Sequence, residues 1–276
     1  MKLIDGQALA EQITSELTKE IYSQHLKIGL AVILIGHNPA SQLYTKLKKR
    51  ACEQVGIDFR LYKLPTNTNN EEVIETIGFL NKDPEINAIL VQLPLSKHLD
   101  TEKIIKAINP HKDVDGFHPE NIEKYLAGKT SLAPVMNQGI DALLKDTGED
   151  LINKKICILT NSDELAEPLQ QGFINRGLDA YHTHLDEAAW LSLVRQADVL
   201  IVAVGQPFLI TDKHIKDGVI IIDIGTNRLA DKVVVGDVDS ESVKDKCAYL
   251  TPVPGGVGPM TIAMLLKNCV RLAKNK

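Results

Sequence analysis

LAVILI at residues 30–35 runs directly into GHNPASQLYTKLKKRACEQVGI at residues 36–57. The apolar run, bounded by glycine on both sides, predicts a buried strand. The residues after it predict a helix that takes Ser41 as its N-cap and runs to about Val55. Gly56 then suits the left-handed position that ends a helix. A strand that leads through a short turn into a helix is the repeating unit of a parallel sheet.

Tyr44 and Lys48 are four residues apart on this predicted helix, so their side chains project from one face. They lie near the start of a helix that leaves the carboxyl end of a strand, where open α/β sheets bind ligands. A phenol beside an ammonium can move a proton, and a lysine changes its pKa readily when it is desolvated. The alternative is a solvated basic face, because Lys46, Lys49 and Arg50 complete a run of charge.

Strands and helices alternate along the rest of the chain. The patterns predict further strands at 59–64, 88–93, 154–160, 198–205 and 218–225, and helices at 7–25, 71–81, 101–108, 140–145 and 262–272. This alternation predicts an α/β fold with parallel sheets covered on both faces. The later strands have the layout of a dinucleotide-binding domain.

Composition excludes several classes of protein. The 276 residues suffice for two domains, and 44% hydrophobic with 24% charged residues is an ordinary globular balance. A net charge of −5 gives no basic field for nucleic acid. No apolar run approaches the ~18 residues of a membrane span, and the N-terminus lacks the apolar core of a signal peptide. Four widely spaced cysteines predict neither a zinc site nor a disulfide framework, which favours a reduced cytoplasmic setting.

Three further stretches carry polar groups in unusual places. Gln92 ends an apolar strand, so its amide needs a partner, either in the protein or in a ligand. Asp113 and Asp115 flank one valine before a glycine, a pattern open to a turn, a metal site or a carboxylate that recognises a ligand. TPVPGGVGPMT at residues 251–261 places backbone amides at the start of a helix, where polar or anionic ligand groups bind.

Together these segments resemble the FolD family of bifunctional methylenetetrahydrofolate dehydrogenase/methenyltetrahydrofolate cyclohydrolases. The matching stretches come in the family's order and span nearly the whole chain. They are NPASQLYTKLK (38–48), VQLPL (91–95), KDVDGFHP (112–119), ADVLIVAVGQP (197–207), IIDIGTNR (221–228), VVGDVD (234–239) and TPVPGGVGPMT (251–261).

The resemblance implies two α/β domains in a homodimer. Residues 1–118 with 259–276 would form the folate-binding catalytic domain, and residues 119–258 a Rossmann-like NADP-binding domain. The C-terminal helix would return to the N-terminal domain. The implied activity is NADP-dependent oxidation of 5,10-methylenetetrahydrofolate and hydrolysis of the methenyl product to 10-formyltetrahydrofolate. This chemistry belongs to one-carbon metabolism and supplies purine biosynthesis.

The resemblance also assigns roles on the folate side. Lys48 would transfer protons during hydrolysis, Tyr44 would contact the folate near the reacting carbon, and Gln92 would tune the protonation of Lys48. Asp115 would grip the pterin through its ring nitrogens, where an ionised acceptor makes strong bonds. The implied substrate contacts also include Leu93, Pro254, Gly255, Gly256 and Thr261.

The cofactor side departs from the family pattern. Its usual Gly-Arg-Ser-x-x-Val-Gly-x-Pro reads TNSDELAEP at residues 160–168, which keeps only Ser162 and Pro168. The usual Cys-His-Ser-x-Thr keeps only His184, and Thr226 replaces an isoleucine. The implied cofactor contacts are Ser162, Pro168, His184, Val204, Gly205, Thr226 and Gly256, and no metal is implied.

These substitutions have an energetic consequence. The loss of an arginine–phosphate bond removes ~1.5–3 kcal/mol, and two nearby carboxylates add repulsion. NADP affinity is therefore expected to fall roughly ten- to a few hundred-fold. The first hypothesis is the full bifunctional enzyme. The alternatives are a diverged paralogue that keeps only the cyclohydrolase, and a non-catalytic folate-binding subunit.

Overall fold

The computed structural model describes residues 1–130, 132–229 and 233–274. The chain divides into two compact units. The three-stranded unit comprises Glu11–Lys124, Leu132–Val135 and Ile262–Lys276. The six-stranded unit comprises Met1–Ala10, Tyr125–Ser131 and Met136–Thr261. Within the described residues, every helix is too short or too polar to cross a membrane.

A parallel sheet of order β3-β2-β4 forms the core of the three-stranded unit. Its strands are β2 (Gly29–Ile35), β3 (Asp58–Leu64) and β4 (Ala88–Val91). The connecting helices are α2 (Pro39–Val55), α3 (Asn70–Lys82) and α4 (Thr101–Lys106). All seven residues of β2 are buried. This continuous burial explains the unbroken apolar run, because a central parallel strand is covered on both faces.

The six-stranded unit holds a second parallel sheet, of order β1-β11-β8-β7-β5-β6. Its strands are β1 (Lys2–Leu3), β5 (Lys155–Thr160), β6 (Asp179–Thr183), β7 (Val199–Ala203), β8 (Ile220–Asp223) and β11 (Tyr249–Leu250). A small antiparallel pair joins β9 (Asn227–Arg228) to β10 (Val234–Val235). The helices are α7 (Asp163–Ile174), α8 (Trp190–Gln196) and α9 (Ser240–Val243).

Four helices complete the chain: α1 (Gly6–Ser23), α5 (Pro119–Leu126), α6 (Val135–Asp146) and α10 (Val257–Lys274). The C-terminal part of α10 belongs to the three-stranded unit, where Lys274 pairs with Glu20 of α1. The predicted α/β class and the predicted return of the last helix are therefore confirmed.

The unit boundaries differ from the predicted domain ranges at the N-terminus. Residues Met1–Ala10 group with the six-stranded unit, whereas the prediction placed them in the folate-binding domain. The reason is β1, whose Lys2 and Leu3 pair with Tyr249 and Leu250 at the edge of the larger sheet. A two-residue strand carries too little pattern to be predicted from sequence.

Candidate active site

The start of α2 is set by Asn38, and the prediction of Ser41 as its cap is wrong. The Asn38 side chain accepts hydrogen bonds from the backbone nitrogens of Ala40 and Ser41, at 3.0 and 3.1 Å. Pro39 then occupies the first helical position, where its missing N–H costs nothing. Ser41 is instead buried. At the other end Gly56 has φ of 85°, which confirms the predicted left-handed cap.

Strand order explains why the polar residues meet above the smaller sheet. The chain leaves β2 to one side through α2 and β3, and it reaches β4 on the other side. The crevice between β2 and β4 is thus a topological switch point, where α/β sheets bind ligands at the carboxyl ends of their strands. α2 follows β2, and Gln92 directly follows β4.

Lys48 and Gln92 meet at this switch point. The Lys48 Nζ donates to Gln92 Oε1 at 3.0 Å, and Gln92 Nε2 donates to the carbonyl oxygen of Leu93 at 2.7 Å. Both the oxygen and the nitrogen of the Gln92 amide therefore have hydrogen-bond partners within the protein. The adjoining Leu93–Pro94 peptide bond is cis. Tyr44 lies half-buried one helical turn before Lys48.

Asp113 builds the turn that presents Asp115. The buried Asp113 carboxylate accepts from the backbone nitrogens of Gly116 and His118, at 3.1 and 2.8 Å, and from Asn121 Nδ2 at 2.9 Å. Asp113 also forms a parallel bridge with Ile89 of β4. The turn alternative is thus correct for Asp113, whose bonds all go to the protein. Asp115, two residues further on, lies half-buried beside this turn.

A distant residue fixes the same segment from the other side. Asn268 on α10 is buried and donates from Nδ2 to the carbonyl oxygen of Val114 at 2.8 Å, across 154 positions of sequence. The backbone nitrogen of Val135 donates to the carbonyl oxygen of Asp115 at 3.2 Å. Sequence reasoning missed Asn268, although an amide inside the apolar stripe of a helix is the kind of signal that singled out Gln92.

The two charged groups perturb each other's titration. Burial lowers the pKa of the Lys48 ammonium, and the negative charge of Asp115 partly offsets this effect. Burial raises the pKa of the Asp115 carboxyl to about 6, against the attraction of Lys48. Cys52, one turn after Lys48, is fully buried, and its burial raises the pKa of the thiol to about 12. Asp115 therefore titrates near neutral pH, and burial makes the Lys48 amine easier to deprotonate than an exposed lysine, as a proton-transfer group requires.

The glycine-rich loop at residues 251–256 is packed tightly within the six-stranded unit. A Cβ on Gly256 would lie 2.7 Å from the carbonyl oxygen of Pro252, and one on Gly6 would lie 1.9 Å from the carbonyl oxygen of Gly256. Gly255 has φ of 112°, and its carbonyl oxygen accepts from the backbone nitrogen of Gln7. Close packing therefore explains Gly6 and Gly256, and the positive φ explains Gly255. The Val253–Pro254 bond is cis, and Thr261 donates to the carbonyl oxygen of Gly258 at 2.8 Å.

The larger sheet has a switch point of its own, between β5 and β7. At the end of β5 the Ser162 hydroxyl accepts from Leu165 N at 3.3 Å as the N-cap of α7, and donates to Glu164 Oε2 at 2.7 Å. Asn161 stands where the family has arginine, and it donates to the carbonyl oxygen of Val204 at 3.2 Å. Pro168 is buried within α7.

Two buried aspartates organise the ends of β7 and β8. Asp237 accepts from the backbone nitrogens of Val204 and Gly205, at 2.7 and 3.0 Å. Asp223 accepts from the backbone nitrogens of Gly225, Asp237 and Val238. Thr226 lies exposed just beyond Gly225. The aspartates of the motifs IIDIGTNR and VVGDVD thus hold the loops that follow β7 and β8 through hydrogen bonds to backbone nitrogens.

This edge fits a dinucleotide in topology, with a helix N-terminus beside the switch point. The first turn of α7 nevertheless carries Asp163 and Glu164, and residues 160–168 include no arginine or lysine. His184, the retained histidine, lies with its Nε2 3.1 Å from Asp163 Oδ1. The strand order and the helix start therefore suit a dinucleotide, whereas the acidic side chains at the helix start do not suit its phosphates.

A lysine–carboxylate site above one parallel sheet and a dinucleotide-type edge on another define a two-unit α/β enzyme. Residues 4–115 match the model of the tetrahydrofolate dehydrogenase/cyclohydrolase catalytic domain, and residues 134–276 match the NAD(P)-binding domain of the same family. The chain belongs to the tetrahydrofolate dehydrogenase/cyclohydrolase family.

Relatives are similar over their full lengths. The bifunctional protein FolD of Nautilia profundicola is 44% identical, with 100% of this chain and 98% of that protein covered. The crystal structure of FolD from Campylobacter jejuni superposes with a TM-score of 0.96 at 43% identity, covering 100% and 99%. The Trypanosoma brucei FolD structure, complexed with NADP cofactor and inhibitor, gives 0.94 at 32% identity, covering 99% and 97%.

Proposed function

We propose that this chain oxidises 5,10-methylenetetrahydrofolate with NADP and hydrolyses the resulting methenyl group to give 10-formyltetrahydrofolate. The observation that carries the proposal is the contact of Lys48 with Gln92, beside Asp115, at the switch point of the smaller sheet. Family membership supplies the reaction, and this geometry supplies a group that can perform its proton transfers.

Lys48 is the proton-transfer residue of the hydrolysis. A water molecule adds to the methenyl carbon, and the amine of Lys48 takes the proton that the water loses. When the bond from this carbon to N5 breaks, Lys48 returns the proton to N5, and the hydroxyl proton leaves as the formyl carbonyl forms. Burial favours this role because it increases the fraction of neutral amine. Gln92 Oε1 holds the Nζ in place without adding a charge.

Asp115 binds the pterin. A carboxyl with a pKa of about 6 is mostly ionised at neutral pH and accepts hydrogen bonds from ring N–H groups. Tyr44 contacts the folate near its reacting carbon. Leu93 on one segment, and Pro254, Gly255, Gly256 and Thr261 on another, complete the substrate contacts that the family pattern assigns.

The six-stranded unit would hold NADP, which would supply a hydride acceptor for the oxidation of the methylene carbon. The residues assigned to it are Ser162, Pro168, His184, Val204, Gly205, Thr226 and Gly256. The carboxylates of Asp163 and Glu164 repel its phosphates. We therefore expect dehydrogenase activity that needs more NADP than an arginine-bearing loop would need.

The wider organisation follows the family pattern. Residues 1–118 with 259–276 act as the folate-binding domain and residues 119–258 as the NADP-binding domain, with β1 contributed to the latter's sheet. The enzyme works as a homodimer in the cytoplasm. Sedimentation of the purified protein would test the dimer directly.

The decisive experiment compares Lys48→Met with Lys49→Met. Lys49 neighbours Lys48 on the same helix, but it is exposed and pairs with Glu53 at 3.6 Å. Each variant is assayed for consumption of methenyltetrahydrofolate and for NADPH formation from methylenetetrahydrofolate. Lys48→Met should lower hydrolysis by about 10²–10⁴-fold, the usual contribution of a positioned acid–base group, and Lys49→Met should not.

Two results would contradict the proposal. Unchanged hydrolysis in Lys48→Met would remove the assigned proton-transfer residue. Hydrolysis by the parent chain without any NADPH formation, even at millimolar NADP, would remove the dehydrogenase and leave a cyclohydrolase alone.

A further inference from the structure

Two histidines and an aspartate converge at the edge of the larger sheet, in the six-stranded unit. His182 and His184 are two residues apart at the end of β6, so they share one face of the strand. Asp163, the first residue of α7, faces them. Its Oδ1 lies 3.1 Å from His184 Nε2 and 3.8 Å from His182 Nε2, and one ligand atom from each residue falls within 4.8 Å of the others.

Gln170 fixes the orientation of one of these rings. Its Oε1 lies in close contact with His182 Nδ1. An amide oxygen can only accept, so Nδ1 carries the hydrogen and Nε2 presents its lone pair towards Asp163. A histidine whose far nitrogen donates to a protein oxygen is the usual arrangement around a bound metal ion.

The second ring presents a nitrogen without a hydrogen bond. His184 Nε2 is buried and has no hydrogen-bond partner among the residues that the structure describes. Its 3.1 Å contact with Asp163 lies within ion-pair distance, but it does not have the direction of a hydrogen bond. A buried ring nitrogen left in this way costs free energy unless something binds it.

We propose that Asp163, His182 and His184 bind a divalent transition-metal ion, with zinc as the best fit. Zinc–nitrogen and zinc–oxygen bonds of about 2.0–2.1 Å at tetrahedral angles put ligand atoms about 3.4 Å apart. The two measured distances, 3.1 and 3.8 Å, bracket this value. Imidazole with one carboxylate suits zinc, whereas magnesium and calcium favour oxygen ligands.

The surroundings leave the site accessible and negatively charged. The Asp163 side chain is 64% exposed, so the ion keeps an open coordination position for water. The partial positive charge at the start of α7 opposes a cation, and the carboxylates of Asp163 and Glu164 in that first turn outweigh it. The four cysteines, which would compete for zinc, are all buried.

Calorimetry with zinc chloride on the full chain, free of nucleotide and folate, tests the proposal. We expect one zinc ion per chain. His182→Gln and Asp163→Asn should each weaken binding at least tenfold, and Gln170→Leu should weaken it by about 10–100-fold through the histidine it orients. His111→Gln is the matched control, because His111 is exposed on the other unit. Cobalt in place of zinc should give a tetrahedral visible spectrum that the His182 variant lacks.

Absence of saturable zinc binding would overturn the proposal, as would equal loss of affinity in His111→Gln and His182→Gln. Circular dichroism of each variant identifies any that fails to fold, and the Gln170 variant then tests the same site without removing a ligand. The measurement uses neither folate nor NADP, so its failure would leave the proposed enzymatic function untouched.

Discussion

Lys48 shows how far the chemistry of one residue depends on parts of the chain that its own motif does not contain. Spacing on α2 predicts that Tyr44 and Lys48 share a face, and the same spacing fits a solvated basic stripe. Gln92 and Asp115 decide between these alternatives by surrounding the amine with an acceptor and an anion. A neutral amide at position 92 holds the amine without the extra negative charge that would keep it permanently protonated.

Gln92 therefore offers a two-way test of how Lys48 is tuned. Gln92→Glu adds a negative charge at the position of Oε1 and should raise the pKa of Lys48. Gln92→Leu removes the oxygen that accepts from the Lys48 ammonium and should lower the pKa of Lys48 further. In the pH–rate profile for hydrolysis, the limb due to Lys48 should shift to higher pH in Gln92→Glu and to lower pH in Gln92→Leu. A displacement of about one pH unit or more is expected for the added charge.

Gln54→Glu serves as the control for added charge. Gln54 is exposed on the same helix, so its carboxylate is screened by water and should leave the profile in place. If both Gln92 variants moved the profile in one direction, the contact would have some role other than tuning the lysine.

At the scale of the element, the sequence predicted six strands, β2 to β5, β7 and β8, and six helices, α1 to α4, α6 and α10. It did not predict β6, the helices α5, α7, α8 and α9, or the two-residue strands. Among the predicted helices, the boundary errors occur where proline or glycine lies near the start. α10 begins at Val257, five residues before the predicted start, because Gly258 and Pro259 lie in its first turn. Proline is tolerated there, since the first N–H groups of a helix have no partner within it. Likewise α6 begins at Val135, before the predicted residue 140.

The site could be predicted only in part, because its supports lie far apart in the sequence. Gln92 was identifiable as an amide that needed a partner, but nothing local says that the partner is Lys48. The bond from Asn268 to the Val114 carbonyl crosses 154 positions, and the His182–Asp163 contact depends on the pairing of β5 with β6. Residue patterns report local periodicity, whereas such contacts follow from strand order.

The aspartate pair behind β7 and β8 leads to a prediction about stability. A Cβ at Gly236 would lie 1.9 Å from Asp223 Oδ2. The Asp223 carboxylate cannot move away easily, because Oδ2 accepts from one backbone nitrogen and Oδ1 accepts from two. Gly236→Ala should therefore lower the free energy of unfolding by roughly 1–3 kcal/mol or more. Gly78→Ala in α3 meets nothing within 4 Å and should raise it by about 0.5–1 kcal/mol. Urea denaturation measures both, and loss of stability in both would show that added volume at Gly236 is not the cause.

The loop before α7 yields a prediction about the nucleotide. Asn161→Arg restores a cation where the family has one, and Glu164→Gln removes a carboxylate from the helix start. Each change should strengthen NADP binding, the arginine by roughly tenfold or more if it reaches a phosphate. Calorimetry with NADP gives the affinities, and Glu241→Gln at the start of α9 is a control for net charge. Unchanged affinity in Asn161→Arg would show that the loop binds NADP without that contact.

At the scale of the whole molecule, the part of the chain that the structure describes has a carboxyl with its pKa raised to about 6 in each unit. Burial is the main cause for both Asp115 and Asp223, and Lys48 in one case and backbone N–H groups in the other partly oppose it. Such a carboxyl binds its proton more tightly in the folded chain than in the unfolded one. The stability it contributes is complete below pH ~4 and is lost as the pH rises through ~6. Exposed carboxyls of lowered pKa, such as that of Glu120 beside Lys124, act in the opposite direction at lower pH.

The chain should accordingly unfold more easily at pH 8 than at pH 5, and Asp115→Asn should remove part of that difference. The neutral amide has no charge to desolvate, so the variant loses the share due to Asp115, on the order of 1–3 kcal/mol. Urea denaturation at both pH values measures it, with Asp217→Asn at an exposed position as the control. The variant should also bind folate poorly, because the amide presents a donor where an acceptor is needed. If the pH dependence were unchanged in Asp115→Asn, the attraction of Lys48 would fully offset the burial of this carboxylate. The ionised Asp115 that the site needs would then not lower the free energy of unfolding.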